Sequence, residues 1–385
     1  MKIANIELIS FHYPSRRLPT RWGYIVADKG HDEVMTVTRI TTDDGGEGYS
    51  IGGHDVHAYA PSKTEIENAA RPLLVGENPL DRARLWQWMM KHRRFSEALI
   101  GNLDCALWDL LGRMAGVPVA KLLGGAREKV KAYASTWPNL GTPEEYAAHA
   151  LQCKQRGYKA YKIHGYIHWD PYRQVPTPAM PAFPKEDVEI CQAVRQAVGD
   201  EIVLMLDPWG VYTYEESLYV GREIQRLGFY WLEHPMDERR MEPYRRLCRE
   251  LNIAVCSPEL ATGSYYSRAE WALQGASDIG RIDVNFGGIT ACQKALAVYE
   301  AFGIPCELHV GSFANIQLLG STTEETCEYF ERGLLRPDED YDVTPAYLNS
   351  PRDPMDGEGY IHLSDRPGLG VDYNWDYIRE HLANE

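Results

Sequence analysis

The chain of 385 residues has no Cys-x-x-Cys pair. Its eight cysteines, Cys105, Cys153, Cys191, Cys248, Cys256, Cys292, Cys306 and Cys327, are scattered. That weighs against a disulfide framework or a zinc site and is the pattern of reduced, buried thiols in a cytoplasmic protein. No apolar run approaches the ~20 residues that span a bilayer. The opening MKIANIELISFHYP alternates and ends at a proline, without the basic and apolar regions of a secretory signal. Positive charge is scarce too: 40 Lys+Arg against 55 Asp+Glu leave −15, which argues against nucleic-acid or anionic-membrane partners. What remains is ordinary globular composition, 44% hydrophobic and 25% charged, which excludes disorder and fibrous repeats. The length allows ~2–3 domains, or one large barrel with a companion, and a core that needs no staples.

Residues 1–50 read as strands, with alternation in Lys2–Ser10 and a β-branched run Val34–Thr42 ending in Asp43-Asp44-Gly45-Gly46. Residues 63–125 read as helices. In Ala98–Gly116 an apolar face recurs at helical spacing through Ile100, Leu103, Leu107, Leu110 and Leu111. From residue 130 the texture becomes short β-runs alternating with helices. The runs are Val130–Ser135, Ala160–His164, Ile202–Asp207, Phe229–Glu233, Ala254–Ser257, Arg281–Asp283 and Cys306–His309. Helical stretches such as Thr142–Arg156, Glu186–Val198 and Thr213–Leu227 separate them. This alternation implies βα units and a parallel sheet.

Asp207, Glu233, Glu259, Asp283 and His309 lie at or just past the C-terminal ends of successive runs, at spacings of 26, 26, 24 and 26. Barrel enzymes gather their chemistry at that rim from several strands, whereas an open sheet concentrates it at one switch point. The pattern therefore predicts a (β/α)-barrel. Three acids converging from neighbouring strands, Asp207, Glu233 and Glu259, would repel one another unless a cation sat between them. Oxygen-only ligands select a hard ion such as Mg²⁺. In Lys162-Ile163-His164 the outer two residues share a strand face, and a lysine beside an imidazole and a metal is expected to depress the pKa of both, favouring a neutral base. Asp283 and His309, one unit apart, suit an acid that orients an imidazole base.

These residues, with Trp-Leu-Glu233-His-Pro, Pro-Glu259 and Glu-Leu-His309, resemble the enolase superfamily, mandelate racemase subgroup. The run Ile100–Pro118 and Leu122-Leu-Gly-Gly resemble its connecting helix. The resemblance covers nearly the whole chain. It implies an α/β fold: a modified (β/α)7β TIM-type barrel (130–340) under an α+β capping domain (1–129), with residues 341–385 returning to the cap. It also implies Mg²⁺ on Asp207, Glu233 and Glu259, and a His309–Asp283 dyad. Lys162 falls on the first lysine of the subgroup's Lys-x-Lys motif, and His164 stands where the second is expected. The resemblance further implies a glutamate on the last strand that contacts the substrate carboxylate, for which Glu331 qualifies by local similarity and Glu328 by spacing from His309. The mechanism implied is α-proton abstraction by a Lys or His base with Mg²⁺ stabilising the enediolate. A homo-oligomer is implied as well.

Substrate choice in such proteins sits in cap loops. In this chain those are Ser15–Asp32, with Arg21, Trp22 and Tyr24, and Ile51–His57, with His54. A third loop follows from spacing: 45 residues separate Lys162 from Asp207, leaving ~20 beyond one unit to lie over the barrel mouth, including Tyr166, His168, Trp169 and Tyr172. Arginines, histidines and aromatics suit a polyhydroxylated acid. The expected function is Mg²⁺-dependent dehydration of an aldonic or aldaric acid sugar to a 2-keto-3-deoxy acid. The alternatives are a racemase or epimerase of an α-hydroxy acid and a catalytically silent binding relative. No Gly-rich loop follows the late strands to support a phosphate-binding barrel.

Overall fold

The computed structural model describes residues 1–14, 32–170, 175–337 and 342–383. The N-terminal part opens with an antiparallel sheet of β1 (Ile3–Pro14), β2 (Asp32–Thr42) and β3 (Glu47–Gly52). β1 runs past Ser10 to the proline that closes the opening stretch, and its register with β2 continues to Pro14↔Asp32. The helix Glu97–Ala115 starts where Ser96 accepts the Leu99 N–H and stops at Gly116, whose φ of +68° takes the left-handed conformation. Its polar positions act as connectors rather than as a solvent face. Asp104 accepts from Thr290 N and Oγ1 at 2.8 and 2.7 Å, and Asp109 from Tyr49 N and Leu369 N at 2.8 and 2.7 Å. One helix thus ties cap sheet, barrel and C-terminal segment together. At Gly101 a Cβ would lie 2.2 Å from the Val284 carbonyl oxygen, so only glycine lets this helix approach the loop after the dyad aspartate.

The barrel begins with β4 (Lys129–Thr136) and β5 (Ala160–His164). A short antiparallel hairpin, β6 (Trp169–Asp170) with β7 (Val175–Pro176), interrupts the series. β8 (Val203–Asp207), β9 (Trp231–Glu233) and β10 (Ala254–Cys256) follow. β11 (Gly280–Ile282), β12 (Cys306–Leu308) and β13 (Tyr329–Leu335) complete it. Parallel pairing runs β10-β9-β8-β5-β4-β13, and β11 pairs with β12. Ser257 N donating to Ile279 O joins β10 to β11, and Cys306 N donating to Thr326 O joins β12 to the approach to β13. Helices separate consecutive strands on the outside, two of them opened by capping boxes, Thr142 with Glu145 and Thr213 with Glu216. β13 lay outside the strand runs legible in the sequence.

Strand alternation gives the barrel interior a polarity that changes along its axis. Ala160, Met205, Trp231 and Tyr329 form an apolar layer at the lower end. Two residues further along the same strands stand Lys162, Asp207, Glu233 and Glu331. Beyond the barrel, residues after 341 turn back. β14 (Tyr360–His362) pairs antiparallel with β4, and the chain then reaches β1, where His12 N donates to His381 O at 2.8 Å. Among the described residues no helix is long and apolar enough to cross a membrane.

Candidate active site

Asp207 and Glu233 are the last residues of their strands, and Glu259 lies three residues beyond β10. One oxygen from each lies within 4.8 Å of the other two, and all three residues are buried. Glu259 Oε2 is buried without any hydrogen-bond partner. Burial pushes the Glu259 carboxyl up to about 7, aided by Asp207 and Glu233 and opposed by His309 and His234. Three oxygen donors, one of them orphaned, fit a hard divalent cation such as Mg²⁺.

Below the triad lies a buried ionic cluster. Lys162 Nζ is 2.7 Å from Glu233 Oε1, 2.8 Å from Glu331 Oε1 and 3.4 Å from Asp207 Oδ2. Arg281 Nη2 pairs with Glu331 Oε2 and lies 2.8 Å from Glu233 Oε1, while its Nη1 donates to Leu308 O. This corrects the expectation of a depressed lysine. Burial lowers the Lys162 pKa, but Glu233 and Glu331 outweigh it and hold the ammonium well above its ordinary range. Arg281 was missed in the sequence, although it stands two residues before Asp283 and so shares its strand face. The cluster also separates the two candidate glutamates, Glu328 and Glu331. Glu331 points inward and is buried, whereas Glu328 precedes β13 and lies 3.7 Å from Lys131, partly exposed. Spacing from His309 thus pointed to a residue that the fold keeps out of the site.

The two histidines flank the triad from separate strands. His309 Nδ1 lies 2.7 Å from Asp283 Oδ2, and its Nε2 lies 3.3 Å from Glu259 Oε1. Burial lowers the His309 pKa, but Glu259 and Asp283 outweigh it and raise the group to about 9. On β5, His164 Nε2 lies 3.0 Å from Asp207 Oδ2, and its Nδ1 faces the Thr136 carbonyl. Both ring nitrogens of His164 therefore face oxygen acceptors, one on the backbone and one on a member of the triad. Trp209, also missed, packs its ring 5.1 Å from that imidazole and gives its backbone N–H to Asp207 Oδ1 at 2.8 Å.

The turn carrying Glu259 is gripped on both sides by residues the sequence did not mark. Glu238 accepts the backbone N–H groups of Glu259, Leu260 and Ala261. Arg268 donates to the carbonyls of Glu259 and Ala261. Both side chains are buried, so the peptide groups around this ligand have fixed partners.

Of the loop residues, Arg21, Trp22 and Tyr24 lie outside the described residues, as do the rest of 15–31 and Tyr172. The backbone at His54 forms one turn of 3₁₀ helix with Asp55 and Val56. In the third loop Tyr166 is structural rather than a substrate contact. It is buried, and its hydroxyl donates to Gly141 O at 2.6 Å. Trp169 stacks edge-on against Trp209, 5.2 Å between centroids, and so stands behind the wall that supports His164.

Residues 8–124 match the mandelate racemase / muconate lactonizing enzyme N-terminal domain, and residues 145–377 match the enolase C-terminal domain-like family. An arabinonate dehydratase of Saccharolobus solfataricus is 30% identical over 358 residues, 88% of each chain. An L-talarate/galactarate dehydratase of Salmonella typhimurium is 28% identical over 88% of this chain and 80% of its own. The crystal structure of a D-glucarate dehydratase from Agrobacterium tumefaciens, complexed with magnesium, superimposes with a TM-score of 0.90 at 37% identity, covering both chains fully. With both halves matched and the rim residues in place, the chain belongs to the enolase superfamily, in its mandelate racemase / muconate lactonizing enzyme branch.

Proposed function

We propose that the chain is a Mg²⁺-dependent dehydratase of an aldonic or aldaric acid. The observation that carries this reading is the placement of two imidazoles at the ends of separate barrel strands, each against a different member of one carboxylate triad. Mg²⁺ held by Asp207, Glu233 and Glu259 would bind substrate carboxylate oxygens and offset the negative charge that α-proton loss places on them. His309 takes that proton on Nε2 from its neutral form, which a cation on Glu259 would favour by offsetting the charge that raises the imidazole's pKa, while Asp283 holds Nδ1 and supports the imidazolium. Lys162 gives the substrate carboxylate a fixed positive neighbour. His164 delivers a proton to the departing β-hydroxyl. The C–H and C–O bonds break, water leaves, and the resulting enol tautomerises to the 2-keto-3-deoxy acid.

The test is a panel of acid sugars incubated with Mg²⁺, with 2-keto products trapped by semicarbazide. D-Glucarate, arabinonate, galactarate and gluconate come first, after the names of the similar proteins. Asp207→Asn should abolish product and metal binding while the fold survives. Full turnover in excess EDTA would refute the metal's role. Inversion at C2 without 2-keto product would favour the racemase reading, which the same pair of histidines also suits.

A further inference from the structure

We propose that Asn285 is a positioning residue that couples the cap loop of residues 53–58 to the Asp283–His309 pair; the kinetic part of this inference rests on His309 acting as the base. Asn285 leaves the end of β11 two residues after Asp283. Its backbone N–H donates to Asp283 Oδ1 at 2.7 Å. Its side-chain Nδ2 donates to the His57 carbonyl at 3.0 Å and lies 3.3 Å from Asp283 Oδ2. Its Oδ1 accepts the Tyr59 N–H at 3.0 Å. Both hydrogens of one amide are therefore shared between the cap loop and the carboxylate that orients His309.

The loop has little freedom to move without drawing Asn285 along. Gly53 and Ala58 close it with reciprocal backbone hydrogen bonds of 2.8 and 3.3 Å. His57 sits at φ +48°, a conformation rare for a residue with a side chain, and its carbonyl is the one Asn285 holds. On the far side, Asp55 Oδ2 accepts from Tyr347 Oη at 2.6 Å and from Arg352 Nη2 at 2.7 Å. Asn102 of the cap helix donates to Tyr59 O at 3.0 Å, and Gly101 abuts Val284. The loop is thus pinned to the C-terminal segment at one end and to the dyad at the other. A shift of the His57 carbonyl draws Nδ2 with it and alters the hydrogen bonds at Asp283 Oδ2, the oxygen that His309 also uses. An aspartate at 285 would lack both donated hydrogens, and a serine would not span the gap.

Asn285→Ala and Asn285→Asp remove the bridge, and Arg352→Ala loosens the loop from its other anchor without touching the dyad. The readouts are Mg²⁺ affinity without substrate, kcat and KM on the acid sugar that turnover identifies, and the downfield proton resonance of His309 Nδ1–H. In both Asn285 variants kcat should fall about tenfold or more, KM should rise about fivefold, and metal affinity should stay within about twofold. The Nδ1–H resonance should move in those variants and, by less, in Arg352→Ala. Kinetics within about twofold of wild type in Asn285→Ala, even with a lowered Tm, would overturn the proposal. An unmoved resonance in Arg352→Ala would overturn the coupling itself. Should no acid sugar be turned over, the functional reading fails, and the resonance in Asn285→Ala and Arg352→Ala still decides this inference.

Discussion

Glu238 accepts the backbone N–H of Glu259 at 2.7 Å, so a buried acid on the loop after β9 fixes the peptide of a candidate metal ligand on the loop after β10. The carboxylate also takes the next two N–H groups, and Arg268 holds the carbonyls of the same turn.

Glu238→Gln replaces one of those acceptor oxygens with an NH₂ group that faces N–H donors. Supporting residues of metal sites typically contribute about 10–100-fold to affinity. Calorimetric titration of the variant with Mg²⁺ should show binding about tenfold weaker, with Tm nearly unchanged without metal. Wild-type affinity would mean that the turn holds its shape unaided.

The two histidines should separate in solvent exchange. His309→Asn should abolish exchange of the substrate α-hydrogen with D₂O, because losing a positioned base costs about 10²–10⁴-fold in rate. His164→Asn should impair elimination while exchange survives. Exchange lost only in the His164 variant would place the base on β5 and imply the opposite configuration at C2. Exchange surviving in both variants would contradict the two-histidine mechanism.

Glu331→Gln leaves Lys162 and Arg281 with one carboxylate fewer in the barrel interior. Breaking such a buried cluster costs about 3–5 kcal/mol, and urea unfolding should register a loss of that order. Glu328→Gln removes only a partly exposed contact with Lys131 and should fall within about 0.5 kcal/mol of wild type. Equal losses in the two variants would contradict this placement of the glutamates.

Asp187 ties the third loop to the helix Pro184–Val198, accepting from Tyr166 N and Tyr212 Oη. Burial pushes its carboxyl up to about 7, against the pull of those hydrogen bonds. A folded pKa above the unfolded value of about 3.9 means that folding favours the protonated form. Its contribution is full below pH ~4 and disappears as pH rises through about 7. Asp187→Asn cannot ionise, so its Tm relative to wild type should climb between pH 5 and pH 8. A difference that stays constant or falls over that range would rule out this titration.

The sequence by itself determined the barrel class and the residues of its rim. Alternating βα texture is local, and one βα unit between Asp207, Glu233 and Glu259 shows along the chain because each acid ends or follows its own apolar run. The histidines, Lys162 and the Asp283 partner were legible for the same reason, as was the resemblance carried by Ile100–Pro118. Only the tertiary structure decided which of Glu328 and Glu331 enters the barrel, because that depends on where the last strand's pairing starts, and β13 pairs with β4 from Tyr329 onward. It also decided the partners of Lys162, since Glu233 and Glu331 reach it from other strands. The supports of the site, Arg281, Glu238, Arg268 and Asn285, belong to the same class. Each acts on a group held by a different loop or strand, and hydrogen bonds across loops leave no period in the chain.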